Sequence, residues 1–155
     1  MRDRPRHIGR LCQIGLLGGI ALLAGGNTAS DTFTVKVTAT DLRNSKGVVR
    51  ACLTSTVKQF PKCSGDADYQ SIVVPAKAQV TLSFKGVKPG RYAIALLHDE
   101  NNNGKADRAL MLMPKEGFGF SRDAKVTMGP PKFNAAAFDV TSTDQTQVIR
   151  MRYML

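Results

Sequence analysis

The sequence predicts an all-β fold, a single antiparallel β-sandwich of about seven strands. Three observations predict it. Apolar residues recur at alternate positions in short segments, the period of a strand with one buried face. Turn signals rich in Gly, Pro and Asn separate those segments. No stretch sustains a helical period, apart from a turn's worth at residues 106–113. The 155 residues, 43% of them hydrophobic and 22% charged, suit one domain and exclude a chain-wide disordered or collagen-like polymer. No apolar run reaches the roughly 20 residues of a membrane-spanning helix, so an integral membrane protein is not expected.

The elements follow in order. From Thr32, Phe33, Val35, Val37 and Ala39 share one face, with Thr34, Lys36, Thr38 and Thr40 on the other. A turn at 44–47 leads into a strand over 48–54, where Val49, Ala51 and Leu53 are in phase and Arg50 and Cys52 face the opposite way. Residues 71–74 form a short β-branched run, and 79–85 alternate with Val80, Leu82 and Phe84 inward. After a turn at 86–90, residues 91–98 are apolar on both faces, with the large Tyr92, Ile94 and Leu96 and then His98 in one phase. That pattern predicts a central strand. Residues 125–128 and 136–140 are weaker strands. Residues 145–154 close the domain, with Ile149, Met151 and Tyr153 inward and Arg150 and Arg152 outward.

Residues 1–26 carry the marks of a secretory signal peptide. Arg2, Arg4, Arg6 and Arg10 precede an apolar stretch over 11–23, and Ala24-Gly25-Gly26 supplies a small-x-small cleavage site. Gly15, Gly18 and Gly19 would spoil a core helix, and the run is short for a retained anchor. Cys12 stands at the start of the apolar stretch, where a lipid-anchored cysteine does not fit. The sandwich domain is then 27–155 and the expected location is periplasmic or secreted. Cleavage removes four Arg and one Asp, so the net charge falls from +10 to +7. Export argues against a nucleic-acid partner. Anionic lipid headgroups, cell-wall polymers or acidic glycans suit that charge, unless it serves solubility alone. Cys52 and Cys63 remain, and an even count in an oxidising compartment predicts a disulfide.

Two segments have the composition for chemistry. In 98–107, Asp99, Asn101 and Asn103 stand at alternate positions, followed by Gly104, Lys105 and Asp107. Alternate Asx oxygens, a Gly for the sharp turn and the carbonyl of Lys105 match the first half of a calcium-loop signature. The twelfth position is Leu110 where a bidentate carboxylate is expected, so a calcium site here would be weak. The alternative is a surface turn held by its own Asx side chains. His98 has no nucleophile spaced near it and is expected to be a structural histidine. In 113–121, Gly and Phe alternate through Gly117, Phe118, Gly119 and Phe120. Phe118 and Phe120 either present aromatic faces to a glycan or peptide, or fold back to plug the sandwich.

The linked motifs Gly86-Val87-Lys88-Pro89-Gly90-Arg91-Tyr92-Ala93-Ile94, His98-Asp99-Glu100-Asn101-Asn102-Asn103-Gly104-Lys105, Pro114-Lys115-Glu116-Gly117-Phe118-Gly119-Phe120-Ser121 and Gly129-Pro130-Pro131 resemble an exported bacterial family, domain of unknown function twenty-one forty-one. The likeness runs from about Thr32 to the C-terminus. Ala106 departs from it, standing where the family more often has Leu. The Pro-Gly-x-Tyr strand entry also looks like transthyretin-like and collagen-adhesin B-type sandwiches. The resemblance implies a secreted or periplasmic sandwich, immunoglobulin-like or transthyretin-like, and implies no catalytic residues. The function expected is a binding or accessory module of the cell envelope, with calcium as a structural clasp. The alternatives are a transthyretin-like hydrolase using His98, and an envelope- or glycan-adhering protein using its charge with Phe118 and Phe120.

Overall fold

The computed structural model describes residues 31–64, 69–108 and 114–155. The expected signal segment 1–26 and most of the turn expected at 106–113 lie outside the described residues. Eight strands form among the described residues: β1 (Phe33–Thr40), β2 (Val48–Thr54), β3 (Tyr69–Pro75), β4 (Val80–Val87), β5 (Gly90–Asp99), β6 (Gly117–Phe120), β7 (Phe138–Val140) and β8 (Gln145–Arg150). A 3-10 turn (Ser121–Asp123) and one short helix, α1 (Phe133–Ala136), lie between β6 and β7. None of the helices is long and apolar enough to cross a membrane among the described residues.

The strands build two sheets, one ordered β4-β1-β8 and the other β3-β2-β5-β6, with β7 also pairing β5. Every pairing is antiparallel except that of β8 with β1. No hairpin connects those two strands, so no tight turn dictates their direction. Val35, Val37, Leu82, Phe84 and Ile149 from one sheet meet Val49, Leu53, Ile94 and Leu96 from the other, all buried, in the core between the layers.

A second core lies on the outer face of the larger sheet. Ala93 and Ala95 of β5 point away from Ile94 and Leu96 and pack with Phe120, Ala124, Phe133, Ala136 and Ala137. This second layer explains why β5 is apolar on both faces. A disulfide joins Cys52 to Cys63, eleven residues on. Cys52 lies opposite Ala95 in the ladder, so the bridge ties the 56–63 loop over this outer face. Closing a loop of that length stabilises the fold by about 3 kcal/mol in the chain-entropy account.

Four elements differ from expectation, the first being the closing strand, expected over 145–154 but ending at Arg150. Residues 117–120, read as irregular, are β6: its two glycines face the inner side, where the end of β8 and the chain after it leave no room for a larger residue. Residues 125–128 are not a strand; Val126 packs on the second core, while Met128, which would share its face in a strand, is fully exposed, so the alternation is not kept. The expected strand at 136–140 is divided, Ala136 ending α1 and only Phe138–Val140 pairing with β5.

Candidate functional site

The end of β5 delivers His98 and Asp99 to opposite faces of the sheet, as strand geometry requires. Both are fully buried. His98 lies on the inner side, where Nε2 is 2.8 Å from the Lys46 carbonyl and Nδ1 is 2.6 Å from the Tyr153 hydroxyl. A carbonyl only accepts, so the partners assign the proton to Nε2. Nδ1 then accepts from Tyr153, whose oxygen in turn accepts from the Arg43 N–H at 3.2 Å. Both ring nitrogens are committed, and no surface reaches them. Burial pushes the Tyr153 phenol up, and the Glu100 charge adds to it against the Arg43 N–H and charge.

Asp99 is the hub of the 99–107 loop. Its Oδ1 accepts from the Asn103 N–H at 3.0 Å, and its Oδ2 accepts from the Gly104 N–H at 2.8 Å and from Arg50 Nε at 2.6 Å. Arg50 reaches it diagonally from β2, since Arg50 opposes Leu97 in the register and Leu97 shares a face with Asp99. The same guanidinium donates to Asn102 Oδ1 at 2.8 Å. Burial alone would raise the Asp99 carboxyl. The Arg50 hydrogen bond, the two backbone N–H groups and the Arg50 charge outweigh it, so the carboxyl sits below its ordinary value.

The rest of the loop closes on itself. Asn101 and Asn103 both turn their amide nitrogens to Asp107 Oδ2, at 2.8 and 2.9 Å. Their oxygens accept from the N–H groups of Asn103 and Lys105 in successive Asx turns. Asn102 and Gly104 take positive φ of 56° and 77°. Of the residues singled out for calcium, Asp99, Asn101, Asn103 and Asp107 are brought together, but as donor–acceptor pairs rather than as oxygens around one point. Lys105 contributes its N–H to the turn, and its side chain is exposed. Among the described residues no group of three or more His, Cys, Asp or Glu side chains is placed to hold a metal ion.

Further partners come from distant parts of the chain and were not foreseen. Glu100 takes Arg43 Nε at 2.6 Å and Asn44 Nδ2 at 3.1 Å, bonds that hold its carboxyl below the ordinary value against the opposing effect of burial. Arg43 also lies 4.6 Å from the centre of the Tyr153 ring and donates to the Lys115 and Leu155 carbonyls. Glu116 is buried and accepts from the Asp107 N–H at 3.1 Å. Burial first, then the charges of Asp99 and Asp107, push its carboxyl up. Gly47 makes the close fit of this end feasible. A Cβ there would lie 2.0 Å from the Asp99 carbonyl oxygen, and its φ is +66°.

Phe118 and Phe120 face the second core rather than open solvent. Phe120 is 5% exposed, 5.7 Å from the Phe60 ring in an edge-on contact, and out of reach of a ligand. Phe118 is half-buried, its ring 6.1 Å from that of Phe120. Phe60 in turn meets Phe133 edge-on at 6.0 Å.

These features define an all-β sandwich with a disulfide-tethered outer loop and a self-bonded polar end. The chain belongs to a bacterial family described as "Uncharacterized protein conserved in bacteria (DUF2141)", whose model matches residues 37–148, more than half of its length. No curated protein and no solved structure matches the chain.

Proposed function

We propose that this chain is an exported, non-enzymatic β-sandwich that serves as a binding or accessory module of the cell envelope, in the periplasm or outside the cell. The observation that carries the non-enzymatic part is the state of the polar end. His98, Asp99 and Glu100 are each engaged by structural partners, and a general base needs a free face toward its substrate. The Cys52–Cys63 bridge supports export, because such bonds persist in oxidising compartments. The 99–107 loop acts as a clasp whose positive charge comes from Arg50 rather than from calcium. An ion seated there would have to displace that guanidinium and turn two Asn amides around.

Expression of the full chain with fractionation and intact mass tests the proposal. The expected product is envelope-side material starting near Asn27, with both remaining thiols resistant to alkylation until reduced. Full-length cytosolic protein with free thiols would contradict it. The hydrolase alternative predicts an activity that His98→Ala abolishes in protein that still folds.

A further inference from the structure

Outside the polar end, one surface combines uncovered apolar side chains with segments that, among the described residues, carry lysines and no acidic side chain. The disulfide-tethered loop and the segment leading into α1 meet there, where Val57, Phe60, Pro131, Lys132, Phe133 and Asn134 line an open cavity of about 290 Å³. Its floor is fixed by the Phe60–Phe133 ring contact and the second core. Val57, in its lining, is 63% exposed, and Met128, three residues before Pro131 in the chain, is fully exposed. A three-residue separation holds Met128 within about 10 Å of the cavity wall.

Among the described residues of the two segments that build it, the charge is one-sided. Residues 55–64 and 124–138 contain Lys58, Lys62, Lys125 and Lys132, all exposed, and no Asp or Glu. The acidic residues flanking the second segment are engaged elsewhere, Asp123 with Arg150 and Arg152 and Asp139 with Arg91. In the chain beyond the first segment, Asp66 and Asp68 lie outside the described residues.

We propose that this face docks on an anionic phospholipid surface, with Met128 and Val57 entering the headgroup–acyl boundary and the four lysines meeting the lipid phosphates. Exposed apolar side chains ringed by lysines match a membrane interface, where the two kinds of contact reinforce one another. A cell-wall polymer or acidic glycan would answer the lysines but gives a fully exposed methionine nothing to enter. The Cys52–Cys63 bridge and the aromatic contacts anchor the side of the face that carries Val57 and Phe60, so that side is preformed. This deepens the envelope proposal by naming the partner.

The chain has no Trp, so Met128→Trp installs a single local reporter. Binding through any other segment of the full chain leaves that reporter in water. With vesicles of mixed phosphatidylcholine and phosphatidylglycerol, its emission should shift to the blue and resist a soluble quencher. Pure phosphatidylcholine vesicles should leave it unchanged. Replacing Lys58, Lys62 and Lys132 by Gln should weaken partitioning by about a hundredfold, roughly fivefold for each lysine. A reporter that stays solvent-like on anionic vesicles overturns the proposal, as does equal partitioning by the lysine variant. Protection that needs no vesicles and grows with protein concentration overturns it too, and identifies a second copy as the occupant. Vesicle binding does not depend on where the chain resides in the cell. Cytosolic material would therefore sink the export reading alone, and an unmoved reporter this one alone.

Discussion

The polar loop at the end of β5 and the aromatic face over the same strand use their side chains in opposite ways. The loop holds the residues most suggestive of chemistry, yet its hydrogen-bonding groups are turned on one another. Asp99 accepts three donors, His98 commits both nitrogens, and Asn101 and Asn103 converge on Asp107. None of its side chains leaves a buried polar atom without a partner among the described residues. The aromatic face has an unremarkable composition, but Val57 and Met128 remain uncovered beside lysines. A dense polar motif can thus spend its polar groups on itself, while packing is left incomplete on the face proposed above to bind.

Substitutions at the two regions should separate them sharply. The largest effect is expected from Gly47→Ala, which adds a left-handed strain to a clash with the Asp99 carbonyl. Chemical denaturation should show a loss of about 3–4 kcal/mol. Asp99→Ala comes next. It leaves Arg50 and two backbone N–H groups without their acceptor, and the same measurement should show a loss of about 2–3 kcal/mol.

The acid limb of a stability–pH curve carries a further distinction. Asp99 and Glu100 are held below their ordinary values, so the stability they contribute is complete above about pH 4.5. It is lost as pH falls through their depressed values. Glu116 is displaced the other way. Its favourable contribution exists below about pH 4 and disappears as pH rises through its elevated value. Glu116→Gln keeps an acceptor for the Asp107 N–H and removes the charge. It should therefore stabilise the protein at pH 7 by up to about 1 kcal/mol and make no difference near pH 3.5. The smallest effect belongs to the aromatic face: Val57→Ser and Met128→Ser should each change stability by less than about 0.5 kcal/mol. A large loss there would show that these side chains support the fold rather than an interface.

How much of this the sequence carried depends on how local the determinants are. β2 and β5 were legible almost to the residue, because alternation and flanking turns both lie within the strand. β6 was not, since Gly117 and Gly119 occupy the inner face and give no apolar period. A Cβ on Gly117 would lie 2.3 Å from the Tyr153 ring, and one on Gly119 2.7 Å from Ile149, contacts made by residues some thirty positions away. The 99–107 spacing was equally visible, and so were its Asx turns and the buried phase of His98. What could not be read was who answers the charges. Arg43, Arg50, Glu116 and Tyr153 reach this end only through sheet register and the path of the C-terminal segment. A buried Asp at a strand end signals that a cation must be near, but leaves its identity to the fold.

That identity is the central claim: the guanidinium of Arg50, and not a metal ion, balances Asp99. The melting temperature of the protein in chelator and in millimolar calcium, read beside the same pair for Asp99→Ala, tests it most directly. Wild type and variant should each melt at the same temperature in both buffers, the variant lower throughout. A rise with calcium in the wild type that Asp99→Ala abolishes would contradict the claim and assign the loop to the metal.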